Sequence, residues 1–128
     1  ASTEIIAVLN KIKPPYNVNI LTQNKALEKL ENTKKISKQV SDIQIGKEFL
    51  FKHLDQVKFI EKIYPSDANF ILIKVDDANY RYQQFLDNGV VVRNRSNQPL
   101  CENCLRITIG NKEENERVIE LLKSFNNG

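Results

Sequence analysis

Two arginines are the residues of this chain best suited to hold an anion. Arg106 stands in Leu105-Arg106-Ile107-Thr108-Ile109-Gly110, and Arg93 follows the apolar run Val90-Val91-Val92. A guanidinium offers a planar fork of donors that matches a carboxylate or a phosphate, a geometry lysine does not reproduce. In a strand, Leu105, Ile107 and Ile109 would point to one side, and Arg106 and Thr108 to the other. Such a strand covers a core and presents a cation on its opposite face. By residue type alone each arginine could equally belong to a surface salt bridge. Arg95, in a polar stretch, reads as solvated.

The other reactive side chains form no recognisable constellation. Cys101-Glu102-Asn103-Cys104 has one metal-like spacing, but a structural zinc site usually needs four ligands and His53 is the only histidine. Cys104 reads as a small buried residue and Cys101 as a loop residue. His53 falls in a predicted helix and reads as a group on its surface. Tyr16, in Pro14-Pro15-Tyr16-Asn17, and Asn69, at a strand start, both have plain packing or capping readings. The sequence holds no glycine-rich phosphate loop, no Ser-His-Asp set, no paired-carboxylate constellation and no RNA-binding aromatic motif.

The elements that must position the arginines follow from periodicity. Residues 2–9 read as the tail of a helix, stopped by Pro14-Pro15, with residues 14–19 as a stiff connector. Helices are predicted over 22–30, with Thr22 as the cap, and over 36–54. The long one carries Ile36, Val40, Ile43, Leu50 and Leu54 on one face. Lys47 fills a rung with its charge snorkelling to water. Strands are predicted over 57–64 and 69–75, close enough to form a hairpin. A helix over 77–88 follows, capped by Asp76, with Gly89 as its left-handed stop. Short strands over 90–93 and 105–109 flank a polar loop. Asn111 and Glu114 then open a last helix with a capping-box pair. The sum is an α/β (α+β) two-layer sandwich, with a mostly antiparallel sheet and helices on one face. Its other face, lined by Arg106, Thr108 and Asn69, needs a cover, and a larger domain is the economical one.

Composition bounds the classes. A hydrophobic share of 41% and a charged share of 27% suit one soluble domain. A net charge of +3 permits an anionic ligand but implies neither a nucleic-acid nor a membrane surface. No apolar run approaches the roughly 20 residues that span a bilayer. No secretory leader is expected, and two cysteines fit a reducing cytoplasm. Ala1 in place of an initiator Met fits a processed or truncated product.

Four segments together resemble the C-terminal part of histidinol-phosphate aminotransferases, in the aspartate-aminotransferase-like superfamily. They are Lys13-Pro14-Pro15-Tyr16-Asn17-Val18-Asn19, Pro65-Ser66-Asp67-Ala68-Asn69-Phe70, Gly89-Val90-Val91-Val92-Arg93 and Cys104-Leu105-Arg106-Ile107-Thr108-Ile109-Gly110. The resemblance implies the small domain of a fold-type I enzyme that uses pyridoxal 5'-phosphate. Residues 1–19 would be the tail of the large domain and the connector, and 20–128 the small domain. It also implies that Arg106, Arg93, Asn69 and Tyr16 meet the substrates, histidinol phosphate and glutamate. The cofactor's lysine and phosphate-binding residues would belong to the large domain, so this stretch alone would be inactive. A homodimer is implied for the full-length protein. Two other readings remain open: a related aminotransferase of aromatic or other amino acids, and a stand-alone ligand- or RNA-binding module.

Overall fold

The computed structural model describes residues 2–13 and 18–126. Its elements run α1 (Thr3–Ile12), α2 (Ile20–Leu30), α3 (Thr33–Leu54), β1 (Ile60–Ile63), β2 (Phe70–Val75), α4 (Ala78–Asp87), β3 (Arg93–Asn94), β4 (Cys104–Thr108) and α5 (Lys112–Phe125). The chain divides into two units, residues 1–37 and 38–128.

The second unit is the expected α/β sandwich. Its sheet has the order β1-β2-β4-β3, and every neighbouring pair is antiparallel. Strand alternation decides what each face holds. Ile71, Ile73 and Val75 of β2 and Leu105 and Ile107 of β4 are buried against Leu50 and Leu54 of α3, Phe85 of α4 and Leu122 and Phe125 of α5. Burying each such side chain stabilises the fold by about 1.5–3 kcal/mol, so this face anchors the sheet. The alternate residues of β4, Arg106 and Thr108, stay half-buried and exposed.

Local chemistry explains the ends of the helices. Asn111 accepts from the Glu114 backbone at 2.9 Å, and the Glu114 carboxylate accepts from the Asn111 backbone at 2.8 Å, which completes the expected capping box. Gly89 stops α4 with φ +75°. Two caps differ from the sequence reading. Asn19 rather than Thr22 caps α2, accepting from the Thr22 N–H at 2.9 Å; Thr22 is itself the capped position. Asp77 rather than Asp76 caps α4, because Asp76 turns to Arg81 at 2.7 Å.

Three further differences have physical reasons. Lys47 does not reach water: it is buried, and its ammonium donates to the Ser66 carbonyl at 2.9 Å. Gly46, inside α3, sits where a Cβ would lie 2.8 Å from Asn115 Nδ2, so close packing explains it. β1 and β3 are shorter than predicted, because β1 carries a register shift between Ile60 and Lys62 and β3 pairs with β4 over two residues only.

The first unit is helical. Among its described residues α1 and α2 bury none, and Ile5, Val8, Leu9 and Ile12 of α1 and Leu21, Leu27 and Leu30 of α2 are exposed. Among the described residues no helix is long and apolar enough to cross a membrane.

Candidate functional site

The antiparallel register sets Arg93 directly opposite Arg106. Arg95 donates its N–H to the Cys104 carbonyl at 2.8 Å, which makes Arg93 and Arg106 the next hydrogen-bonded pair. Their Cα atoms are therefore about 5.5 Å apart. Residues opposite each other share a face, so both side chains rise from the side of the sheet away from the helices. Leu72 is in register with Arg106 on its other flank, and Phe70 with Thr108. The uncovered face thus carries Arg93, Arg106 and Leu72 in one row, and Phe70 and Thr108 in the next.

Like charges directly opposite across a sheet are destabilising. A carboxylate between them would offset the cost, yet neither arginine has an ion pair among the described residues. Arg106 instead lies over the Phe70 ring, 5.0 Å from guanidinium carbon to centroid. Its Nε is buried and donates to no protein acceptor. A buried donor ordinarily meets a partner in the protein, in ordered water or in a ligand.

Arg81 provides the contrast. It too stacks on a ring, Phe59, at 3.9 Å. But its Nε and one terminal nitrogen donate to the two Asp76 oxygens at 2.9 and 2.7 Å, and its other terminal nitrogen to Gln84 at 2.9 Å. Hydrogen bonding to Arg81 holds the Asp76 carboxyl below its ordinary range. Arg81 is therefore a structural cation, with each of its three nitrogens donating within the protein. Arg106 keeps its donors and its charge.

Next to this pair the ladder opens. Beyond Arg93 the run Val90–Val92 no longer pairs with β4, and a cavity of about 530 Å³ lies there, lined by Val91, Val92, Thr108, Gly110, Glu114 and Arg117. Thr108 is common to the cavity and the uncovered face.

The remaining sequence candidates fall elsewhere. Asn69 is exposed at the start of β2, its carbonyl accepting from the Ile109 N–H at 2.9 Å. Alternation counts it with Ile71 rather than with Phe70, so it does not share the row of Arg106. Tyr16 and the prolines of the connector lie outside the described residues. His53 is half-buried and its Nδ1 lies 2.8 Å from the Phe49 carbonyl of its own helix. Cys104 is buried, and burial pushes its thiol pKa up; a raised pKa leaves little thiolate to react. Phe70 is not among the candidates that residue type and spacing single out. Its partnership with Arg106 runs diagonally between strands and becomes visible only once the register is known.

The two lysines described on this face are engaged within the protein. Lys74 pairs with Glu61 at 3.3 Å, which holds its ammonium in the charged form, and Lys62 lies over the Tyr64 ring at 4.8 Å. The donor set on this face suits an anionic ligand.

Comparison with known proteins places this geometry in a family context. The family model for aminotransferase class I and II matches residues 1–122. A histidinol-phosphate aminotransferase of Christiangramia forsetii is 61% identical over 127 residues, which is 99% of this chain and 36% of that protein. The chain thus spans little more than a third of such relatives. Among solved structures, the histidinol-phosphate aminotransferase from Clostridium acetobutylicum aligns with a TM-score of 0.79 at 23% identity, over 98% of this chain and 39% of that one. The L-threonine-O-3-phosphate decarboxylase from Porphyromonas gingivalis aligns with a TM-score of 0.72 at 20% identity, over 100% of this chain and 40% of that one. At such identities these two likenesses show a shared fold and leave the reaction undecided.

Proposed function

Since this chain belongs to the class I and II aminotransferase family, we propose that it is the substrate-gripping part of a histidinol-phosphate aminotransferase. Residues 1–19 would be the tail of a large domain with the connector, and 20–128 the small domain. The full-length protein would interconvert L-histidinol phosphate and 2-oxoglutarate with imidazole acetol phosphate and L-glutamate. Pyridoxal phosphate, held by the large domain, would carry the amino group between the two substrates. This stretch alone would be inactive.

The observation that carries the reading is the pair of arginines directly opposite in register, neither ion-paired among the described residues, on the sheet face turned away from the core. Both kinds of substrate in this reaction bear an acidic group, phosphate or carboxylate, close to the reacting carbon. Arg106 would grip one such anion through its free donors, with Arg93 beside it, and the family resemblance adds Asn69 and Tyr16 as further substrate contacts. Gripping that group orients the reacting carbon beside it and helps to exclude water. A homodimer in the cytoplasm is the assembly and location that accompany this reading.

The test is Arg106→Gln in the full-length enzyme. It removes a charge-assisted, two-pronged contact, an interaction whose loss costs about 2 kcal/mol or more, so kcat/KM should fall at least about thirtyfold for the acidic substrates. Unchanged kinetics for both histidinol phosphate and glutamate would sink the proposal. Competition between histidinol phosphate and phenylalanine tells this substrate from an aromatic one.

A further inference from the structure

We infer that Phe70 is a positioning residue for the substrate anion: its ring holds the Arg106 guanidinium in place without neutralising it. The inference rests on the substrate-binding role proposed for Arg106.

An arginine that must receive an anion faces two opposed demands. Its long side chain has to be fixed, or binding carries the entropy of ordering it. Yet the usual fixing partner, a carboxylate, occupies the same donors and cancels the same charge. An aromatic face resolves the conflict. It attracts a cation through its quadrupole and engages the flat surface of the guanidinium, leaving the in-plane N–H groups free.

The structure contains both solutions. Arg81 is fixed by a ring and a carboxylate together, and each of its three nitrogens donates within the protein. Arg106 is fixed by a ring, 5.0 Å away, with no ion pair among the described residues and with a buried Nε that meets no acceptor. Phe70 is itself held firmly. It belongs to β2, in register with Thr108, and its carbonyl accepts from the Ser66 hydroxyl at 2.6 Å. The ring therefore stands on a fixed backbone beside the strand that carries Arg106. Substituting it leaves β2 and the helix-side core untouched, because Phe70 is on the opposite face from Ile71 and Ile73.

The experiment measures kcat, KM and thermal midpoint for Phe70→Leu, Phe70→Tyr and Arg106→Gln in the full-length holoenzyme, with histidinol phosphate and glutamate as substrates. Leucine keeps apolar bulk and removes the quadrupole; tyrosine keeps the ring. The expected result is a KM raised about 3- to 30-fold in Phe70→Leu, with kcat within about threefold and the midpoint little changed, and a KM within about twofold of the parent in Phe70→Tyr. A normal KM in Phe70→Leu, alongside a large loss in Arg106→Gln, overturns the inference and leaves the role of Arg106 standing. A KM raised equally in the leucine and tyrosine variants, with a lowered midpoint, marks a packing role and also overturns it. A normal Arg106→Gln removes both claims together.

Discussion

Replacing Gly46 by alanine should destabilise the protein, although helix propensity alone says the reverse. Gly46 lies inside α3, where exchanging glycine for alanine is worth about 1 kcal/mol in favour of the folded state. The new methyl, however, would lie 2.8 Å from Asn115 Nδ2 and 3.0 Å from Ile109 Cγ2. Asn115 cannot swing aside cheaply. It is 3% exposed, its Oδ1 accepts from the Gly110 N–H at 2.9 Å, and its Nδ2 donates to the Gly110 carbonyl at 3.0 Å. Displacing it weakens this buried hydrogen bonding by about 1–3 kcal/mol in all, and the crowding of Ile109, about 1 kcal/mol, offsets the propensity gain. The net expectation is a loss of about 1–3 kcal/mol. Urea denaturation of Gly46→Ala, Asn115→Ala and the double variant reads it as a double-mutant cycle. In the double variant the methyl has room, so the two losses should be strongly less than additive. A Gly46→Ala protein as stable as the parent, or strictly additive losses, would refute the reasoning.

Asp76→Asn should flatten the acid limb of the stability profile. Arg81 holds the Asp76 carboxyl below its ordinary value of 3.8, so its contribution is present above that value and is lost as pH falls through the lower, folded-state one. Parent and variant should therefore converge in strong acid and differ most near neutrality, which denaturant midpoints across the acid range would check; parallel profiles would contradict it. Asn111→Ala should cost about 1 kcal/mol by removing the capping box, and hydrogen exchange should rise first at the opening turn of α5. Protection unchanged at Glu114 would show that the cap contributes nothing.

Much of the second unit was legible because its signals are local. Alternation over residues 105–109 assigned the two faces of β4, a capping pair three residues apart announced α5, and Gly89 marked the end of α4. What escaped depends on partners distant in sequence. Lys47 reads as a snorkelling lysine until the Ser66 carbonyl, 19 residues away, is set beside it. Gly46 looks like a flaw in α3 until Asn115 packs on it. Asp76 and Asp77 are equally good caps on paper, and the choice falls to Asp77 because Arg81 engages its neighbour. The arginines were legible as residue types. Their direct opposition, and the ring under one of them, required the strand register.

The outer strands of the sheet bear on how the chain behaves before it is finished. β1 is four residues long, broken by its register shift, and places exposed Glu61 and Lys62 at the margin; β3 offers two paired residues. A nascent or partly opened molecule seeking a template would find neither margin long and straight enough to extend with a strand of its own. Short, kinked and charged borders of this kind discourage edge-to-edge stacking between molecules. The protein can thus carry two very apolar inner strands, β2 and β4, with little hazard of polymerising through them.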